Sequence, residues 1–152
     1  FPSVSYFIAA APIGAALGQR VRSDRRLLEA DFGDWTNRPL AELRKLSEWA
    51  AVQNHPASFR FPGGESFVEI PHRMVTATHD WAGRHRGGAV VLVSHADLIK
   101  AFVASASGTH LDAFQRLVIS PTSVTPILLS GGAPIVLAVN STGGDLTALA
   151  PA

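Results

Sequence analysis

Apolar and polar positions change their rhythm several times along the chain, and each change marks an element. Tyr6 to Gly18 is an apolar, alanine-rich run that predicts a buried helix over Ala9–Leu17, with Gly18 as its stop and Pro12 interrupting its first half. Gln19–Arg22 fits a short strand. Arg25–Asn37, with glycine, aspartates and two aromatics but no helical period, fits an ordered loop. Pro39 suits a first helical position, and Leu40, Leu43, Leu46 and Trp49 continue that helix at helical spacing to about Val52. After a loop over His55–Gly64, the longest stripe follows: Phe67, Ile70, Met74, Ala77 and Trp81 predict a helix over Glu65–His85 that kinks or restarts at Pro71.

The second half alternates more sharply. Gly87-Gly88 ends the long helix, and Ala89–Val93 is a continuous valine-rich run, the pattern of a strand buried on both faces. Asp97–Ala106 and Leu111–Leu117 fit helices. Val124–Leu129 and Ile135–Val139, joined through Gly131-Gly132-Ala133-Pro134, fit a hairpin whose prolines keep it at a sheet edge or at strand starts. Helices alternating with apolar strands imply a layered α/β domain, a single unit over residues 1–152, with no repeat and no linker.

Composition narrows the function classes. The chain has 152 residues, 47% of them apolar, which suffices for one core. A net charge of +1, without a basic stripe or aromatic platform, argues against nucleic acid. The absence of cysteine excludes disulfides and thiolate metal sites and fits the cytoplasm. The apolar run near the start is too short to span a bilayer and has no basic leader, so no membrane role is expected.

Three stretches could carry chemistry. Val90-Val91-Leu92-Val93-Ser94-His95 puts an imidazole just past the carboxyl end of a strand and at the start of a helix, the edge where α/β sheets bind ligands. The free N–H groups of that helix favour an anion, so Ser94, His95 and Ala96 are the phosphate-binding candidates. A histidine that only satisfies loop carbonyls is the structural alternative. In Leu27–Trp35, Glu29 sits between an apolar pair and an aromatic-glycine turn, and partial desolvation there would suit a general acid. Taken alone, that stretch also fits an acidic loop in solvent. In Phe61–Phe67, Glu65 and Ser66 suit the first turn of a helix, and that structural role is sufficient.

In this order the three stretches resemble the histidine phosphatase superfamily, the phosphoglycerate mutase-like fold. Leu28-Glu29 with Phe32-Gly33-Asp34-Trp35, then Pro62-Gly63-Gly64-Glu65-Ser66, then Val93-Ser94-His95 continuing to Ile99-Lys100, carry the resemblance from about Ala10 to the hairpin. The resemblance implies a layered helix/sheet/helix fold and phosphomonoester hydrolysis, favoured over mutase chemistry, through a phosphohistidine. It implies that His95 holds the phosphoryl group of a small phosphorylated substrate and that Glu29 gives the proton, with no metal or other cofactor.

The sequence departs from that pattern at its start. The family's nucleophilic histidine, in an Arg-His-Gly motif ending the first strand, has no counterpart before Glu29, and no arginine precedes Arg20 where the family has one near the region of Ser3–Ile8. The expectation is therefore an N-terminally incomplete domain, impaired in catalysis, with backbone edges left unpaired beside the strand ending at His95. Such an edge leaves pairing with a second copy, a homodimer, available. Arg84-His85-Arg86 has the wrong context, following a helix, and fits a helix C-terminus instead. His72 and His79 lie two turns apart without a third metal ligand, and His55 and His110 are isolated in loops. The alternative function is a non-catalytic relative that binds phosphorylated ligands or a protein partner through His95.

Overall fold

The computed structural model describes residues 2–144 and 146, with side chains from Ile8 onward. Helix α1 spans Pro2–Ala16 and continues past Pro12, which has no N–H to donate to the preceding turn. It ends at Gly18, whose φ of 61° lets Gln19 N–H close onto the Gly14 carbonyl at 2.8 Å. The helix is not buried as expected. Among its described side chains only Ala10 is, whereas Ile8, Ile13 and Leu17 are exposed.

The expected helix over 39–52 is two, α2 (Leu40–Leu43) and α3 (Trp49–Asn54). Pro39 caps the first rather than joining it. Between them the bonds tighten to i→i+3, Leu46 N–H to Leu43 and Trp49 N–H to Leu46, so that Leu43, Leu46, Trp49 and Val52 all reach one core. The loop over 25–37 is ordered, as expected, by short 3₁₀ turns at Arg25–Leu27 and Gly33–Trp35.

Helix α4 spans Glu69–Arg84, starting later than the stripe suggested. Ser66 N–H and Oγ donate to Glu69 Oε2 at 2.7 and 3.0 Å, tying the segment before the helix to its first residue. Pro71 then falls in the first turn, where its missing N–H would have no partner anyway, so no kink is needed. Ile70, Met74 and Ala77 are buried as the stripe required. Helix α5 (Ala96–Ala106) packs on α4 and on the 3₁₀ segment Leu111–Arg116. The hairpin is present and short: β1 (Ile127–Leu128) pairs antiparallel with β2 (Ile135–Val136), and Val124 bridges Ser141.

The core is aromatic. Trp35, Phe59, Phe61, Phe67 and Phe114 form a continuous chain of rings with neighbouring centroids 5.1–5.6 Å apart, filled in by Ile70, Met74, Leu98 and Phe102.

The largest correction concerns the sheet. Ala89–Val93 is extended but joins no ladder, and Val91 is 58% exposed rather than buried on both faces. Gln19–Arg22 is likewise extended and unladdered, not a strand. A central parallel strand needs a neighbour on each side to satisfy its backbone. Among the described residues no backbone bond joins either segment to a strand. The two segments instead form the sides of an open trough of about 660 Å³, with Ala10 and Ile13 of α1, Leu17 just past it, Trp81 of α4 and His85 just past α4 lining the rest.

Candidate functional site

Two loops that carry the sequence motifs lock into each other. Asp34 N–H donates to Pro62 O at 2.8 Å, and Glu65 N–H to Asp31 O at 2.9 Å. The backbones touch where the glycines are: a Cβ on Gly33 would collide with the Pro62 carbonyl, and one on Gly64 with the Asp31 carbonyl. Gly33 also has φ 52°, a left-handed conformation that few other residues adopt. The aromatic-glycine turn and the Pro-Gly-Gly turn are therefore one joint. Contrary to the expectation, Glu65 lies ahead of the helix and does not serve its first turn; its Oε2 accepts Asp31 N–H at 2.9 Å across the joint.

Arg73, on α4, completes this region. Its Nε and Nη2 donate to Glu65 at 2.7 and 3.0 Å, while Nη1 donates to the carbonyls of Arg26 and Leu28 at 2.7 Å each and Nη2 to that of Glu29 at 3.2 Å. A second anchor lies two turns further along the helix. Arg26 pairs with Asp24 and Asp80, and Trp81 Nε1 donates to Asp24 at 2.9 Å. Hydrogen bonding to Arg26 above all holds the Asp24 carboxyl well below the usual carboxylate range. Sequence reading missed both arginines. Arg73 looks there like any basic residue on an amphipathic helix, and only its reach onto three carbonyls distinguishes it.

Held this way, Glu29 meets His95. Nδ1 of His95 lies 3.3 Å from Oε2 of Glu29, with the two side chains 20% and 23% exposed. Glu29 Oε1 accepts the Ala30 N–H at 3.0 Å. Burial pushes the Glu29 carboxyl above its ordinary value, against the Ala30 hydrogen bond and the His95 and Arg73 charges, which pull it down; Asp97 pushes it further up. Nε2 of His95 is buried and has no hydrogen-bond partner among the described residues. His95 caps α5 with an extended backbone (φ −99°, ψ 159°), so the first N–H groups of that helix, Ala96 among them, open beside the ring. Ser94 Oγ donates to Leu27 O at 2.8 Å, tying the His95 segment to the Glu29 segment, so its hydroxyl proton is engaged. Lys100 is held by Asp97 and Gln115.

The remaining histidines sit elsewhere. His72, His79, His55 and His110 are exposed, and His85 ends α4 beside Arg84, whose guanidinium stacks on Trp81. Among the described residues no three acidic or histidine side chains gather as a metal site, and no helix is long and apolar enough to cross a membrane.

Known proteins resemble this chain over most of its length. The profile of the histidine phosphatase superfamily (branch 1) matches residues 8–142. Phosphoserine phosphatase 1 of Hydrogenobacter thermophilus is 24% identical over 138 residues, covering 90% of this chain and 65% of that protein. A probable phosphoglycerate mutase GpmB of Yersinia pestis is 31% identical over 107 residues, covering 69% of this chain and 50% of that protein. The chain thus spans about half to two-thirds of the curated relatives it matches. Among solved structures, Bacillus stearothermophilus YhfR superposes with a TM-score of 0.78 at 27% identity, covering 89% of this chain and 70% of that one. A mycobacterial glucosyl-3-phosphoglycerate phosphatase with inorganic phosphate superposes at 0.72 and 26% identity, covering 90% and 72%. The layered α/β, phosphoglycerate mutase-like architecture is therefore the fold, despite its missing ladders, and the chain belongs to the histidine phosphatase superfamily.

Proposed function

We propose that this chain carries the phosphate-binding and proton-donating half of a phosphomonoesterase that works through a phosphohistidine. The observation that carries the reading is the 3.3 Å approach of His95 to Glu29 at the N-terminus of α5. The His95 ring faces Glu29 with Nδ1 and offers Nε2 to a phosphoryl oxygen, and the Ala96 N–H adds a second donor. Ser94 contributes its backbone, since its hydroxyl is engaged by Leu27. Glu29, kept protonated to higher pH by burial, gives its proton to the leaving alkoxide as the P–O bond breaks. The reaction needs no metal or other cofactor. Its substrate is a small phosphorylated molecule, in keeping with relatives named for phosphoserine and glucosyl-3-phosphoglycerate.

The reaction also needs a nucleophile in line with the leaving oxygen, and among the described residues no second histidine stands at this site. The trough between residues 19–22 and 89–93 runs along the segment that ends at His95, so an extended segment lying in it would bring its end group to the phosphate. Residues 1–152 alone are expected to bind phosphate without turning over substrate. Hydrolysis of an aryl phosphate tests this: no release above background is expected. Turnover by this chain that His95→Ala abolishes would show that the nucleophile is already present.

A further inference from the structure

We propose that Arg73 is the positioning residue for the proton donor: its guanidinium holds the Glu29 backbone in place so that the carboxyl stays against His95. The inference rests on the reading of Glu29 and His95 as one site.

The geometry is specific to a planar, five-donor group. Three carbonyl acceptors within four residues of the loop, on Arg26, Leu28 and Glu29, converge on Nη1 and Nη2. The Glu65 carboxylate takes Nε and Nη2. Arg73 and Glu65 are 17% and 22% exposed at the side chain, so solvent screens the pair only in part. Glu65 is fixed in turn by Asp31 N–H, two residues beyond Glu29. The segment carrying Glu29 is therefore gripped on both flanks by one side chain of α4 and its carboxylate partner. Glu29 lies in no helix or strand. Its own hydrogen bond runs to the adjacent Ala30 and does nothing to place the loop. A lysine keeps the charge but has neither the planar fork nor the number of donors to hold three carbonyls and a carboxylate.

This separates two roles that push Glu29 in opposite directions. The charged groups acting on the Glu29 carboxyl are His95, which caps α5, Asp97 in its first turn, and Arg73 from α4. As a nearby cation alone, Arg73 pulls the Glu29 carboxyl down, so its weakening would let that carboxyl rise. As the device that keeps Glu29 in its part-buried place, its loss exposes the carboxyl and lets it fall back towards the ordinary glutamate value.

The test is an NMR pH titration of the His95 imidazole in the intact chain, reading the inflection that Glu29 imposes across 3.3 Å. Glu29→Gln identifies that inflection by removing it; if no inflection is lost, the reading of the site itself fails, separately from the role of Arg73. With the inflection assigned, Arg73→Lys is expected to shift it downward towards the ordinary carboxylate range, with helix content unchanged. Glu65→Gln is expected to shift it the same way by less, since Arg73 keeps its three carbonyls. An inflection that stays put or moves upward in Arg73→Lys, even with a lowered melting temperature, would overturn the proposal and leave Arg73 as a stabilising charge. Should Arg73→Lys fail to fold, Glu65→Gln decides alone, by the same signs.

Discussion

The two halves of the molecule meet at His95 and are built differently. On one side, the loops around Phe32–Trp35 and Phe61–Phe67 press backbone to backbone through Gly33 and Gly64, over a chain of buried aromatic rings. On the other, Gln19–Arg22 and Ala89–Val93 flank an open trough with their ladder positions unpaired, beneath an α1 whose described apolar side chains are mostly exposed. The first half closes through side-chain packing and hydrogen bonds that its own elements supply to one another. The second depends on strand neighbours, and an extended segment without them is only a line of unsatisfied donors and acceptors. The site inherits both: Glu29 is held from the packed half, and His95 hangs from the end of the open one.

That contrast can be broken by substitution. Phe67 is 1% exposed and touches rings on both sides, so Phe67→Ala should lower stability by about 3–5 kcal/mol in chemical denaturation. Val91→Ala, in the segment that sequence alone places at the centre of a sheet, should change it by no more than about 0.5 kcal/mol. A comparable loss at both positions would mean that the trough is filled in solution.

A subtler effect should appear at Glu29, with a sign that follows from burial. The folded state holds this carboxyl above its ordinary value, so folding favours the protonated form. Below the unfolded glutamate value both states are protonated and the carboxyl adds no penalty. As pH rises through the unfolded and then the raised folded value, the folded state must carry a part-buried charge, and stability falls. Glu29→Gln should therefore leave the melting temperature unchanged near pH 4 and raise it modestly near pH 7. A lower melting temperature at pH 7 would mean that the ion pair with His95 outweighs burial.

Much of the packed half was legible in the sequence. The stripe Ile70, Met74, Ala77 foretold the buried face of α4, and the three motif stretches, each ambiguous alone, pointed in order to one family. What misled was inference from composition about partners. The valine run at 90–93 has the composition of a buried strand, but burial belongs to the neighbours, and a run of residues cannot supply them. Pro39 suggested one long helix where the core needed Leu43, Leu46 and Trp49 to turn inward at a break. Arg73 was invisible for a different reason: its acceptors are backbone carbonyls, which leave no mark in the identity of residues 26–29.

The central claim, that His95 and Glu29 share a pocket for a phosphoryl group, is tested most directly by adding inorganic phosphate to the isotope-labelled chain. Saturable shifts in the His95 imidazole and in the Ala96 and Asp97 amides, weakened in His95→Ala at the two amides, are the predicted result. Shifts confined to exposed arginines such as Arg84 and Arg86, with residues 94–97 unmoved, would contradict it.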